Sequence, residues 1–373
     1  MRSDIDQPAH GKGGFRNLKV VAKPTESSLI TSFHLQAVDG SALPAFRPGQ
    51  FLVFKIPSSG DAKGYVLRNY SLSSAPDDTG LYRISVKREP SAGPGLPAGL
   101  SSNYLHDHVK VGDVLAVDGP RGDFVLDEAS DRPVVLLSGG VGLTPMVAML
   151  HQLARHSDRR VLFLHACDNG DIHALRDEVL QLIAQRPGLS AHFCYRQPSD
   201  ADRANGCFDS EGFVTREVLQ SLLCLDDYEF YLCGPPPFMQ AMYQTLRGLG
   251  VAKSRIAYEF FGPATVLEPE AAPAPPPPKP APTAAADSTA PNVTFRKSGI
   301  SAAWNPNAQS LLAFAEELGL APEFSCRAGV CGSCKAHLVE GDVTYFEDPL
   351  DELASDEVLL CCSRPTTEIV LDL

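Results

Sequence analysis

Three textures of apolar and polar positions follow one another along the chain. Over residues 17–127, short β-branched runs ("LKVVAK", "SLITSFHLQAV", "FLVFKI", "YRISVK", "DVLAVDGP") are punctuated by Gly, Pro and Asp. Runs of this kind predict the strands of a small antiparallel barrel. From about 132, apolar stretches such as "RPVVLLSGG", "RRVLFLHAC", "LSAHFCY" and "YEFYLCGPP" alternate with helical segments, among them "TPMVAMLHQLARH" and "ALRDEVLQLIAQR". That alternation predicts a parallel sheet covered by helices. After 292 the texture is mixed. "NVTFRKSG" and "ISAAWNP" suggest a hairpin, "SLLAFAEELGL" an amphipathic helix, and "KAHLVEGDVTYF" and "TEIVLDL" further strands of a small α+β unit.

Between the second and third textures lies "TVLEPEAAPAPPPPKPAPTAAADSTAPN", almost all Ala, Pro and small polar residues with no periodic apolar face. Such a segment cannot bury enough surface to fold and predicts a semi-stiff tether, either a passive spacer or a swing arm. The expected division is therefore a flexible N-terminus (1–16), a barrel (17–127), an α/β unit (128–264), the tether (265–291) and a C-terminal unit (292–373). The fold class is multidomain, and no internal repeat is found.

Composition narrows the function. With 373 residues, 44% of them hydrophobic and 21% charged, the chain has the make-up of a soluble multidomain protein. It lacks any apolar run of membrane-spanning length. No apolar h-region follows Met1, so the expectation is a cytoplasmic protein. Ten cysteines in that setting point to metal binding where clustered and to core packing where scattered. The net charge of −13 argues against a nucleic-acid partner. Thirteen acidic against five basic residues lie from 292 onward, so the charge is concentrated in the C-terminal unit.

That unit holds "CRAGVCGSCK", in which Cys326, Cys331 and Cys334 are spaced C-x4-C-x2-C. This is the plant-type spacing for a [2Fe-2S] cluster, whose irons need four thiolates. Structural zinc would instead call for paired C-x2-C units or histidines, and His337 is the only histidine nearby. A fourth ligand is supplied by "VLLCCSRP", a strand-like run with two adjacent thiols, Cys361 and Cys362. Neighbouring strand residues face opposite ways, so one thiol serves the cluster. Alternation alone does not say which. The segment resembles plant-type ferredoxins, whose fourth cysteine stands four residues before a proline. The resemblance implies Cys361 as ligand, Cys362 as bystander, and a β-grasp one-electron carrier.

In the barrel, "LRNYSLSS" places Arg68, Asn69, Tyr70 and Ser71 in sequence. A guanidinium suits a phosphate, an aromatic ring suits a flavin face, and a hydroxyl suits a proton-bearing ring nitrogen. The motif resembles the R-x-Y-S of the ferredoxin–NADP reductase superfamily, with "FRPGQF" before it and Val86 and Lys87 of "ISVKRE" after it. Gly99 and Ser102 of "GLSSNYLHDH" resemble the superfamily's pyrophosphate-contacting G-x-x-S, which implies FAD rather than FMN. His106 and His108 are read as packing or surface rather than metal ligands.

In the α/β unit, Gly139, Gly140, Val141, Gly142, Leu143, Thr144 and Pro145 follow a strand and open a helix. Glycines there let backbone approach a pyrophosphate, and the helix start supplies free amides. Some ninety residues later "YLCGPPPFM" closes another strand. In the superfamily this element lies beside the nicotinamide, which implies that role for Cys233, Gly234 and Pro235. Cys167, Cys194, Cys207 and Cys224 are expected to pack as small hydrophobes. "RIAYEFFGPA" resembles the end of flavohaemoglobin reductase domains, implying that Glu259 approaches the flavin and Phe261 covers its face. "HACDNGDIHALRDEV" and "SEGFV" extend that likeness. Arg176 is the one arginine near 167–176 to meet a 2′-phosphate, so NADH is favoured, with NADPH as the alternative. Flavohaemoglobins carry a globin ahead of this point. Few residues precede the barrel here, so no haem chemistry is expected within this chain.

The domain order resembles phthalate dioxygenase reductase. It implies an NAD(P)H-dependent oxidoreductase in which nicotinamide delivers hydride and the flavin passes single electrons to the cluster. Ser71, Cys233 and Glu259 are the expected catalytic residues. The expected partner is a terminal oxygenase, Rieske-type or haem-thiolate, or another protein acceptor docking on the acidic ferredoxin unit. Alternative readings are a redox-sensing regulatory module and a self-sufficient flavin or ferric reductase.

Overall fold

The computed structural model describes residues 14–59, 64–91, 98–261, 267, 291–324, 327, 329–330, 332–350 and 352–373. Six strands form the first sheet: β1 (Arg16–Ala22), β2 (Ile30–Ala37), β3 (Phe51–Pro57), β4 (Tyr65–Ser71), β5 (Tyr82–Lys87) and β6 (Val114–Arg121). Their order is β4-β3-β6-β1-β2-β5, with antiparallel neighbours throughout. A bridge between Leu72 and Ile84 draws the two ends together as a barrel. The helix α1 (Leu100–His108) intervenes between β5 and β6. Inside, Leu52, Phe54 and Ile56 of β3 join Phe33, Leu35 and Ile84 in one core. On the opposite face of β3, Phe51 and Val53 are just as apolar. They form a separate small cluster with Val330 of the C-terminal unit, supported by Phe15, Leu67 and Leu350.

The second sheet is wholly parallel. It comprises β7 (Val134–Gly139), β8 (Val161–Cys167), β9 (Leu189–Tyr195), β10 (Ser210–Glu211), β11 (Glu229–Gly234) and β12 (Ile256–Phe260), in the order β10-β9-β8-β7-β11-β12. Its helices are α2 (Leu143–His156), α3 (Arg176–Ile183), α4 (Asp200–Asn205), α5 (Arg216–Leu222) and α6 (Pro236–Gly248). Val134 and Leu136 pack with α2 and α3, whereas Val135 and Leu137 pack with α6. Both faces are therefore covered, which explains the uninterrupted apolar strands. From β7 the chain runs outward to one edge through β8, β9 and β10, then returns to β11 on the other side of β7. The carboxyl end of β7 is thus the switch point, where such sheets bind their ligands.

The C-terminal unit carries a mixed sheet, β14-β13-β19-β15-β17, built from β13 (Asn292–Phe295), β14 (Ile300–Ala303), β15 (Lys335–Glu340), β17 (Glu357–Leu359) and β19 (Ile369–Leu371). A two-stranded ribbon of β16 (Val343–Tyr345) and β18 (Ser363–Pro365) lies beside it. The helix α7 (Leu311–Glu317), capped by Ser310 accepting from the Ala313 amide at 3.2 Å, fills the core with Leu311, Leu312 and Phe314. No helix among the described residues is long and apolar enough to cross a membrane.

A buried polar clamp joins the barrel to the α/β unit. Arg83 of β5 donates to both Glu178 oxygens at 2.7 and 2.8 Å, and His151 of α2 lies 2.6 Å from the same carboxylate. The Arg83 guanidinium also donates to the Ser73 carbonyl and hydroxyl, so the barrel side of the clamp is fixed. Burial would push the Glu178 carboxyl up, but hydrogen bonds from His151 and Arg83 outweigh it and hold it down at about 2. The carboxyl is ordinary when unfolded, so its contribution is full above the usual glutamate range and is lost as pH falls toward 2. Glu178→Gln is expected to cost about 2 kcal/mol at pH 7. The deficit should shrink as pH is lowered through 4 toward 2, as read by urea unfolding across that range. A deficit independent of pH would contradict the clamp.

Candidate functional site

The barrel's contribution begins on β4. Its register against β3 pairs Arg68 with Phe54, Asn69 with Val53, Tyr70 with Leu52 and Ser71 with Phe51. Arg68 is exposed, donating to the Leu67 carbonyl at 2.7 Å. Tyr70 is half-buried, its ring edge-on to Phe54 at 5.5 Å, and burial pushes its hydroxyl well above the usual tyrosine value. Ser71 is buried at the strand end. The side-chain oxygen of Asn69 is buried with no hydrogen-bond partner. A buried amide oxygen left without a donor is costly, which fits a site that a polar ligand completes.

Val86 and Lys87 end β5. Val86 is buried, its carbonyl accepting from His106, and Lys87 pairs with Glu89 at 3.1 Å. His106 thus holds barrel backbone. At the start of α1, a Cβ on Gly99 would lie 2.8 Å from both Glu89 and the Ser102 hydroxyl. That hydroxyl is already engaged, donating to the Gly99 carbonyl and accepting from the Glu89 amide, each at 3.2 Å. The free hydroxyl in this turn belongs to Ser101, buried and without a partner. The G-x-x-S pattern points one residue past it, and nothing in the sequence separates the two serines.

The switch point is built by close backbone approach. A tight turn, Gly140–Gly142, connects β7 to α2 and abuts β5 of the barrel. Gly140 has φ +52°, and a Cβ there would meet nothing within 4 Å. Gly142 is the opposite case: its Cβ would fall 2.3 Å from the Cys233 carbonyl oxygen. Gly139 and Gly234 both press on Phe238, where a Cβ would come within 2.9 and 2.7 Å of its ring. Val141 is half-buried, and Leu143, Thr144 and Pro145 are buried in the first turn of α2, with the Thr144 hydroxyl donating to Val141 at 3.1 Å. The open side of Gly140, at the turn that leads into the N-terminus of α2, forms a cradle suited to a pyrophosphate.

Beside this turn, Ser138, Cys233 and Glu259 form a row across three neighbouring strands. Cys233 is fully enclosed. Burial, then the nearby Glu259 charge, pushes its thiol well above the ordinary value, so it remains neutral. Pro235 and Pro236 open α6, where a missing amide costs nothing. Glu259 is half-buried, and Phe261 stands just past β12, partly exposed. Of the scattered cysteines, Cys167 and Cys194 are buried as expected. Cys207 is half-buried and Cys224 exposed, so the packing role assigned to Cys224 is corrected.

In the C-terminal unit, Cys334 and Cys361 are both buried, and the Leu360 amide donates to the Cys334 carbonyl at 3.2 Å. Cys326 and Cys331 lie outside the described residues. The "VLLCCSRP" run is not one strand. It breaks into a 3-10 turn at Leu360–Cys362 between β17 and β18, which cancels the alternation expected of a strand. Both thiols are therefore buried, but differently. Cys361 Sγ accepts from the Gly329 amide at 3.3 Å, whereas Cys362 Sγ is directed at the Leu359 carbonyl at 3.7 Å. Gly329 and Gly332 adopt φ +66° and +72°, left-handed backbone that glycine takes readily. Among the described residues, two buried thiols, Cys334 and Cys361, with an amide donor to the Cys361 sulfur fit the donor chemistry of an iron–sulfur cluster.

Residues 17–126 match the family described as oxidoreductase FAD-binding domain, 136–244 the oxidoreductase NAD-binding domain, and 293–366 the 2Fe-2S iron-sulfur cluster binding domain. The flavohemoprotein of Bacillus thuringiensis subsp. konkukian is 46% identical over 267 residues, covering 70% of this chain. The chain spans 65% of that relative's own length. Among solved structures, the FAD/NAD-binding domain of nitric oxide dioxygenase from Vibrio cholerae O1 biovar El Tor is 41% identical. It covers 66% of this chain and 98% of its own, with a TM-score of 0.58. Phthalate dioxygenase reductase, described as a modular structure for electron transfer from pyridine nucleotides to [2Fe-2S], is 26% identical. It covers 96% of this chain and 98% of its own, with a TM-score of 0.56.

The turn geometry separates two glycine substitutions. Gly142→Ala is expected to cost about 3 kcal/mol, because its methyl meets backbone that cannot move aside. Gly140→Ala should cost about 1 kcal/mol, from the left-handed backbone alone. Urea unfolding of the two variants checks the order, and equal losses would contradict it.

Proposed function

The chain belongs to the ferredoxin–NADP reductase superfamily, with FAD-binding, NAD-binding and 2Fe-2S domains in one polypeptide, and from that premise we propose that it carries electrons from NADH to a partner oxygenase. Bound FAD supplies the exchange between a hydride pair and single electrons, and the cluster stores one electron at a time. The acceptor in this reading is a Rieske-type or haem-thiolate oxygenase that docks on the acidic C-terminal unit. The domain limits 17–127, 128–264 and 292–373, joined by the 265–291 tether, belong to the same reading. Its setting is the cytoplasm, with which free thiols agree.

The observation that carries the reading is the packing of Val330 on Phe51 and Val53. Val330 belongs to the cysteine loop, and Phe51 and Val53 pair across the sheet with Ser71 and Asn69. Val330 therefore rests one strand away from the Arg68–Ser71 run.

The chain's own residues take these roles. Arg68 meets the flavin phosphate, while Asn69 offers its buried oxygen and Tyr70 its ring face. Ser71 holds a proton near the ring nitrogen. Val86, Lys87, Gly99 and Ser102 shape the rest of the flavin site, joined by Ser101, whose hydroxyl is free to meet a second phosphate. Residues Gly139 to Pro145 seat the dinucleotide, with Cys233, Gly234 and Pro235 beside its reactive end. Glu259 orients that end, and Phe261 covers the flavin side. Cys326, Cys331, Cys334 and Cys361 hold the cluster, with the Gly329 amide favouring the reduced charge. The thiol of Cys233 is enclosed and neutral, so its part is positional rather than acid–base.

Two measurements test this. Val330→Asp should lower NADH-driven cytochrome c reduction at least tenfold, while ferricyanide reduction, fed directly by the flavin, stays within about twofold. Equal loss of both, or of neither, with cluster absorbance intact would refute the path. Separately, Cys361→Ser should abolish the cluster's visible absorbance and Cys362→Ser should keep it. The reverse outcome would reassign the fourth ligand.

A further inference from the structure

Cys362 holds no iron in the reading above, yet it is fully buried against the cysteine loop. The point of contact is Gly329. A Cβ there would lie 3.0 Å from Cys362 Sγ and 3.5 Å from Cys362 Cβ, so the glycine backbone rests directly on the thiol. The same glycine donates its amide to Cys361 Sγ at 3.3 Å and accepts at its carbonyl from the Leu350 amide at 3.0 Å. Cys361, Leu350 and Cys362 therefore hold Gly329 at its amide, its carbonyl and its Cα.

Cys362 makes a firm stop because its own turn is fixed at several points. Its carbonyl accepts from the Phe346 amide at 3.2 Å, and its Sγ is directed at the Leu359 carbonyl at 3.7 Å. The Ser363 hydroxyl donates to that same carbonyl at 2.7 Å, and Ser363 pairs with Tyr345 in the ribbon. With its S–H turned toward Leu359, Cys362 offers Gly329 packing rather than a competing hydrogen bond. Packing matters here because φ +66° is a conformation that glycine enters and leaves easily. A hydrogen bond weakens steeply as its donor swings off line. Whatever stops that swing sets the strength of the bond to Cys361.

We propose that Cys362 is a positioning residue for the cluster: its thiol, packed on Gly329, keeps the Gly329 amide aimed at the Cys361 sulfur and so favours the reduced state. The proposal rests on the reading of Cys361 as a ligand. Reduction adds negative charge that the ligand sulfurs share, and an amide donor to sulfur stabilises that charge. Because the bond is buried, its alignment counts for more than it would in water.

The test is a redox titration of the full-length protein with dithionite, following the reduced cluster by EPR. At a fixed ambient potential, Cys362→Ala should show a reduced-to-oxidised ratio about fivefold below wild type. Cys362→Val refills the space with carbon and should return to within about twofold of wild type. A role in stability alone would lower the melting temperature and leave this ratio unmoved. Cys362→Ala at the wild-type ratio with its cluster intact, or Cys362→Val shifted as far as Cys362→Ala, would overturn the role. Where Cys362→Ala assembles no cluster, Cys362→Ser carries the test, because its γ oxygen is smaller and closer to Cβ. A ratio about twofold below wild type then supports the role, and an unchanged ratio refutes it. A cluster that persists in Cys361→Ser would instead overturn the ligand reading on which the proposal rests.

Discussion

The contact of Val330 with Phe51 and Val53 is the interaction on which the rest depends. Without it the molecule is a flavin–nicotinamide unit and a ferredoxin unit sharing a chain. Burying a few apolar side chains contributes on the order of 1.5–3 kcal/mol each, before the cost of ordering the partners. A contact of that size holds two free proteins together only at millimolar concentration. If the Pro- and Ala-rich segment acts as the tether proposed above, it supplies an effective concentration in that same range. A modest contact is then enough to seat the cysteine loop for much of the time.

Close backbone approach does similar work at the switch point. Gly142 sits against the Cys233 carbonyl, and Gly139 and Gly234 sit against Phe238, so β7 and β11 converge more tightly than side chains would permit. The row Ser138, Cys233 and Glu259 is thereby set next to the glycine turn. The clamp of Arg83, Glu178 and His151 ties the barrel to the same unit.

Much of this was legible in the sequence, and the reasons are physical. Apolar runs such as "VVLLSGG" and "VLFLHAC" have no polar alternation because both their faces are covered, and they became parallel strands. The cysteine spacing and the Gly-rich turn carry their chemistry in the residue types themselves. The family comparisons agree with the three cofactor-binding domains they implied. What failed was local. "VLLCCSRP" has strand composition, but the chain must turn between β17 and β18, and a turn obeys no period of two. Cys224 reads as apolar yet stands in solvent, since composition does not say which loops lie outside. The clamp and the Val330 contact join residues far apart in sequence, which periodicity does not see. One signal was available: "FLVF" is apolar on both faces in an antiparallel barrel, where the outer face is usually polar. Its outward residues, Phe51 and Val53, are the ones that meet the cysteine loop.

In the proposed path, reducing equivalents that enter beside Cys233 and Glu259 leave through the cysteine loop of the same molecule. Anaerobic mixing of dilute full-length protein with NADH, followed by rapid freezing and EPR, tests it most directly. The account predicts a rhombic signal from the reduced cluster whose rate of appearance is independent of protein concentration. A flavin that bleaches while the cluster stays oxidised, or a signal whose rate rises with protein concentration, would contradict it.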